Sequence, residues 1–381
     1  MSRKGNPWIP GLDGHRGERF RLIPIGMEHD LVLPWTGAPD HAAGYGPRAG
    51  HAFMAFQKGS INPMRSSRWT LIVFLAGWTW TMPTVQGEDY AEFRSRELRC
   101  IIGNNAAQGD HRAGYNGIFH LSSVHQPEPV FVPAYAGLNL EHVFDGSARF
   151  VDRNILFEPR NAHMSFKKVD ERTAELHQPP TPVMRMQSVI RFRLVDPYSI
   201  DMEFRCVPHE NVFEGGAFGI FFASYINSPL NKSMYYLTEG GNGPVWQQFC
   251  TQFHNHDSTV KHVRDKFDWT FTPGAPTFLF TNISPVRYTE PFFYGRFKNM
   301  VLIVMFASPE GIRFAHSPSG GGLNAAKDDT NPAWDFQYIV PNCQIGKEYG
   351  FCCRVVYKLW EGREDVLKEY AAYKNTVQSI K

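Results

Sequence analysis

His254-Asn255-His256-Asp257 and Asn139-Leu140-Glu141-His142 are two places in this chain where imidazole, carboxylate and amide groups gather within four residues. In an extended backbone, side chains alternate between faces, so His254 and His256 would project together, as would Asn139 and Glu141. Imidazoles and a carboxylate can exchange protons near neutral pH, which makes His254, His256 and Glu141 the candidate acid/base set. Ordinary hydrogen-bonding loop histidines and an ion-paired glutamate would produce the same letters. A catalytic zinc usually has three protein ligands, and no third ligand to His254 and His256 is identifiable, so no metal site is assigned.

Other polar and aromatic clusters fall at expected strand ends. Asn139 and His142 flank Glu141, Arg160 precedes Asn161-Ala162-His163, and Trp334 and Asp335 sit in Asn331-Pro332-Ala333-Trp334-Asp335-Phe336. A surface with amide, carboxylate and imidazole groups suits saccharide hydroxyls, each both donor and acceptor. Trp334 offers a flat apolar face for a pyranose, and Arg160 and Asp335 could fix hydroxyl or carboxylate groups. Asn139, His142, Arg160, Trp334 and Asp335 are therefore the candidate substrate-binding residues, with core packing as the competing role for each.

Phosphate loops, dinucleotide fingerprints, His-Glu-x-x-His and Gly-x-Ser-x-Gly are absent, so no cofactor and no nucleotide partner is expected. Of 39 Lys+Arg and 37 Asp+Glu, the first 87 residues hold 9 and 5, which leaves 30 against 32 in the remainder. The basic balance belongs to the N-terminal part. Without a basic cluster in the rest, nucleic acid is not an expected partner.

These groups must be positioned by strands. Ser188–Val207 contains two alternating runs around Asp196-Pro197, the pattern of a half-solvated antiparallel hairpin. Phe218–Ile226 and Met300–Phe306 are apolar on both faces and need cover on both sides. Further strands are expected at Gly117–Ser122, Pro129–Pro133, Ala148–Val151, Ala162–Lys167, Ala174–His177, Trp246–Phe253, Trp269–Phe271, Thr277–Phe280, Ile312–Ala315, Phe336–Val340 and Tyr349–Trp360. So many short strands predict an all-β fold, a large antiparallel β-sandwich. One C-terminal helix is predicted over 362–378, where Val366, Tyr370, Tyr373 and Val377 recur at helical spacing behind the acidic first-turn pair Glu364 and Asp365.

Met64-Arg65-Ser66-Ser67-Arg68, the apolar stretch Trp69–Trp80 and the small-residue site Val85-Gln86-Gly87 have the order of a secretory signal peptide. Residues 1–63 hold ten Gly and seven Pro with no sustained period, which reads as disorder or as an extension ahead of the true start at Met64. A membrane anchor at Trp69–Met82 is the alternative, although such spans usually need about 20 apolar residues. The expectation is one domain over 88–381, exported to the periplasm or beyond. All six cysteines follow the expected cleavage site, and export would allow them to pair. In a strand Cys352 and Cys353 must point to opposite faces, so they should not bridge each other, and Cys206 is a candidate partner for one of them.

The order of signals resembles the galactose-mutarotase-like supersandwich proteins over about residues 110–360. It comprises Tyr115-Asn116-Gly117-Ile118 and Tyr135-Ala136-Gly137-Leu138-Asn139-Leu140-Glu141-His142 early, alternating sheets centrally, then His254-Asn255-His256 and Asn331-Pro332-Ala333-Trp334-Asp335-Phe336. That resemblance implies a concave sheet face binding carbohydrate, with His and Glu acting as general acid and base at the anomeric carbon. The matching positions are His254, His256 and Glu141. The same fold serves lyases, hydrolases and proteins without catalysis, so a non-catalytic carbohydrate-binding or envelope module stands as the alternative.

Overall fold

The computed structural model describes residues 88–275, 278 and 281–380. The expected N-terminal extension over 1–63, the expected signal segment over 64–87 and most of the strand expected at Thr277–Phe280 lie outside the described residues.

Strands are numbered in chain order. One sheet has nine strands, in the order β11 (Gly243–Phe249), β10 (Met234–Gly240), β14 (Phe292–Phe297), β15 (Met300–Phe306), β20 (Tyr349–Leu359), β8 (Ser199–Pro208), β7 (Met186–Val195), β6 (Thr173–Gln178) and β5 (Ser165–Lys168). A second has six: β13 (Ile283–Tyr288), β12 (Thr259–His262), β16 (Ile312–Ser317), β19 (Ala333–Val340), β9 (Phe218–Ala223) and β4 (Asn139–Phe144). A three-stranded sheet, β1 (Tyr90–Arg94), β2 (Leu98–Gly103) and β3 (Gly117–Ser123), and a small ribbon, β17 (Leu323–Asn324) with β18 (Asp329–Thr330), complete the set. The fold is the all-β sandwich expected. All described pairings in the two large sheets are antiparallel except β12 with β13, which is parallel.

The two large sheets close on each other through aromatic pairs: Phe204 with Phe222, Phe351 with Phe336, and Phe293 with Phe314, at centroid separations of 5.1, 5.5 and 5.1 Å. Phe222, Phe336 and Phe314 thus mark the inner face of the six-stranded sheet. Alternation then sends Lys261, Arg313, Gln337, Asp335 and Ala223 to its outer face. Helix α3 (Arg363–Ile380) covers the far side of the nine-stranded sheet, burying Val366, Tyr370 and Tyr373 against Phe292, Val301, Ile303 and Val356. Its apolar stripe is the one its spacing predicts.

Several expected strands differ. Ala148–Val151 is a single 3₁₀ turn, Pro129–Pro133 contributes only a bridge from Phe131 to Ile226, Trp269–Phe271 is irregular, and β11 stops at Phe249. Conversely, β12 is polar to the eye because Lys261 is buried on its outer face, and β14 is interrupted by Gly295. At Gly295 a Cβ would lie 2.3 Å from the Trp334 ring, so only glycine leaves room for that indole.

All six cysteines are free thiols. Cys353 is buried and Cys352 exposed, as opposite strand faces require. The expected Cys206 pairing is corrected by register: Cys206 lies opposite Tyr349, whereas Cys353 lies opposite Met202, four positions along. In reduced native protein, iodoacetamide should label Cys250 and Cys352 first, and Cys100, Cys206 and Cys353 only after unfolding. Peptide mass spectrometry checks this, and early labelling of Cys353 would contradict the assigned strand faces.

Candidate functional site

Glu141 owes its position to a bulge in β4. Leu140 pairs with Phe222 and His142 with Phe221, which leaves Glu141 as an extra residue without a partner. In a regular strand, neighbours 141 and 142 would diverge; here Glu141 Oε2 lies 3.4 Å from His142 Nε2. Beside the bulge, Asn116 imitates a strand. It accepts from the Leu140 N–H and donates to the Leu140 carbonyl, both at 3.0 Å. Gly117 makes that approach possible, with φ +97° and a Cβ position 2.7 Å from the Gly137 carbonyl.

The Glu141 carboxylate is buried but heavily partnered. Tyr225 Oη donates to Oε1 at 2.5 Å and Arg160 Nη1 donates to the same oxygen at 3.1 Å. Arg160 comes from the short helix α2 (Glu158–Asn161; α1 is Arg153–Leu156), which Glu158 anchors by accepting from the Met184 N–H at 2.9 Å. The guanidinium also donates through Nε to the Gly114 carbonyl and stacks with its carbon 3.9 Å from the Tyr115 centroid. Tyr115, Tyr135 and Tyr225 form an aromatic group around the carboxylate, with centroids 4.7, 5.0 and 5.6 Å apart. Tyr115 and Tyr135 are half-buried.

Burial alone would push the Glu141 carboxyl up; the His142 and Arg160 charges and the Tyr225 hydroxyl more than reverse this and hold it at about 2. Asp335 behaves oppositely. It is buried and accepts the Ser224 N–H at 2.9 Å, and desolvation, aided by the Glu141 charge, lifts it well above the carboxylate range. The outer face therefore carries one carboxyl group shifted down and one shifted up.

His254 and His256 part company. Asn255 and Asp257 have φ of 58° and 47°, so the segment turns and is not extended, and the expected shared face does not exist. His254 turns toward β16, its Nδ1 2.8 Å from Ser317 Oγ, with Nε2 unpartnered among the described residues. Ser317 pairs with Ala333, and Ala333 bridges to Tyr225, which joins His254 to the Glu141 group across two strands. Its pKa is lowered by desolvation against the upward pull of the Glu141 charge. His256 instead faces solvent, 3.5 Å from Asp257. Among the described residues no three His, Cys, Asp or Glu side chains are placed to hold a metal ion.

Two other expected contacts are corrected by burial. Trp334 is 1% exposed, its ring lies in the inter-sheet core against Gly295, and its Nε1 donates to the Lys232 carbonyl at 2.8 Å, so it has no face free for a sugar. Asn139 is fully buried and accepts the Asn116 N–H, which makes it part of the scaffold. His142, with Nδ1 2.9 Å from the Leu156 carbonyl, and Arg160 are partners of Glu141, and Asp335 is buried against the Ser224 N–H, so none is an exposed hand. Tyr225 was hidden in an apolar run; its signal is the Ser224-Tyr225 pair that breaks the run where β9 ends.

The opposed shifts make stability depend on pH. Glu141, depressed from 4.5 to about 2, contributes stability that is complete above about pH 4.5 and is lost as pH falls through 2. His316, buried between Thr251 and Lys232 and depressed from 6.5 to about 4, contributes stability that is lost from about pH 6.5 downward. Asp335, raised from 3.8, acts with opposite sign, favouring the fold most at low pH. In urea unfolding from pH 7 to 2, the gap in stability between native protein and Glu141→Gln should narrow below about pH 4.5. A gap independent of pH would contradict an ionised, buried Glu141.

No family model matches the chain, and no curated protein matches it. Among solved structures it is similar to a galactose mutarotase-like protein from Lactobacillus casei, at 9% identity over 70% of this chain and 99% of that one, with a TM-score of 0.39. It is also similar to the Slr1438 protein from Synechocystis, at 9% identity over 71% and 96% with a TM-score of 0.42. A third is a heparan sulfate lyase from Pedobacter heparinus, at 10% identity over 72% of this chain and 36% of the lyase, with a TM-score of 0.37.

Proposed function

We propose that this protein binds a saccharide on the outer face of its six-stranded sheet, against Glu141 and beneath His254. The observation that supports this is the bulge-borne carboxylate held ionised by Arg160 and Tyr225 beside a group of tyrosines, two of which are only half-buried. A fixed acceptor beside partly exposed aromatic faces matches the mixed polar and apolar surface of a pyranose. Where proton transfer occurs, His254 carries it. A carboxyl near 2 is a weak base, whereas His254 has an unpartnered Nε2 and an environment that keeps it neutral at pH 7. Glu141 then orients the ligand and tunes His254 by its charge.

The test is a panel of mono- and oligosaccharides read by calorimetry for binding and by NMR exchange for anomer interconversion. Glu141→Gln should weaken binding about tenfold or more, because an ionic acceptor becomes a neutral amide. His254→Ala should leave binding within about threefold and abolish any turnover. Turnover retained in His254→Ala would remove the proton-transfer role, and an unaltered affinity in Glu141→Gln would remove the binding site. If binding occurs with no turnover in the native protein, the protein is a carbohydrate-binding module.

We propose further that the chain is exported after cleavage near Gly87, on the strength of the basic, apolar and small-residue segments of 64–87. A mature N-terminus found by mass spectrometry well upstream of Glu88 would overturn this.

A further inference from the structure

A groove lies at the other end of the six-stranded sheet. β19 begins at Ala333 beside Tyr225 and ends at Val340 in this groove, so seven strand steps place the two sites about 23 Å apart. The groove encloses about 850 Å³, a volume suited to a small ligand, and adjoins a smaller one of about 280 Å³ with Arg264 lining both.

Its charge is arranged by buried groups. Arg264 and Lys266 are exposed and have no ion pair among the described residues. Asp265, between them, is drawn under the sheet: Arg313 Nε donates to it at 2.7 Å and Lys261 Nζ lies 3.9 Å away. Both cations are essentially buried, at 0% and 2% exposure. Arg313 and Lys261 also donate to the Phe267 carbonyl, which pins the wall. Asp265 also lines the groove, but its carboxylate is taken up by Arg313 and Lys261, so Arg264 and Lys266 are lining cations without an ion pair among the described residues. Below them Tyr338, Tyr349 and Phe351 are half-buried and present aromatic surface, and Glu310 stands among the other lining residues.

We propose that this groove binds an acidic saccharide unit of the uronate type, its carboxylate held by Arg264 and Lys266 and its ring on the Tyr338, Tyr349 and Phe351 surface. The planar guanidinium fork matches a carboxylate, and the aromatic faces take the apolar face of a pyranose. Glu310 accepts ring hydroxyls and disfavours a doubly charged phosphate. The site is independent of Glu141.

Calorimetry with trigalacturonate, its fully methyl-esterified form and glucose 6-phosphate tests this at low ionic strength. Native protein should bind trigalacturonate, and the neutral ester should bind about tenfold more weakly or worse. The double variant Arg264→Gln/Lys266→Gln should lose a similar factor while its thermal unfolding is unchanged, since both side chains are exposed. The double variant should lose the same factor in a Glu141→Gln background, which keeps failure of either site distinguishable from failure of the other. Absence of binding, equal affinity for acid and ester, stronger binding of the phosphate, or an affinity unchanged by the double variant would each overturn the proposal.

Discussion

Trp334→Ala is expected to destabilise the fold by about 3–5 kcal/mol, the cost of emptying a large aromatic site in a core. The indole is 1% exposed, fills the space over Gly295 and donates to the Lys232 carbonyl, so truncation leaves both a cavity and a buried acceptor without its donor. The complementary change sharpens the test. Gly295→Ala places a Cβ 2.3 Å from the ring and should cost about 1–3 kcal/mol by overpacking. That cost should largely vanish when Trp334 is already alanine, a coupling that a double-mutant cycle in urea unfolding measures. A loss below about 1 kcal/mol for Trp334→Ala would contradict its place between the sheets.

Arg160→Ala should cost about 3 kcal/mol or more, because removing one partner of a buried ion pair strands the other charge. His142 and Tyr225 remain beside Glu141, so the loss should fall at the lower end of that class. Lysine is not an adequate substitute. It cannot donate to the Gly114 carbonyl and Glu141 in the same fork, nor stack as a planar group between Tyr115 and Phe157. Combining Arg160→Ala with Glu141→Gln should recover part of the stability, since the stranded charge is then absent. Chemical unfolding of the two single variants and the double checks this, and strictly additive losses would show that the two side chains do not act as a pair.

Much of the sandwich was legible because its core strands follow simple patterns. The hairpin β7–β8 alternates, β15 is continuously apolar and covered by α3 on one side and the inter-sheet core on the other, and α3 carries its stripe at helical spacing. Strands were missed where burial on the outer face is polar. In β12, Lys261 is nearly inaccessible yet reads as a solvent-facing letter, because its charge is met by Asp265 and Asp268 in the loop that follows. The candidate site was half legible for the same reason. Glu141, His142, Arg160 and His254 converge as their types suggested, but the bulge that aims Glu141 has no sequence mark, and the left-handed Asn255 and Asp257 undo the shared face of His254 and His256. Trp334 and Asn139 show the limit of reading residue type alone: an indole or an amide suits a sugar only if it is exposed, and both are buried.

The most direct test of the Glu141 site is a crystal structure of the protein with a saccharide selected from the binding panel. The expected result is a ring against Tyr115 and Tyr135, with a hydroxyl donating to Glu141 Oε2, the oxygen beside His142 Nε2, and His254 Nε2 within about 3 Å of the sugar. A saccharide bound elsewhere, with the Glu141 group unoccupied at saturating ligand, would contradict the account.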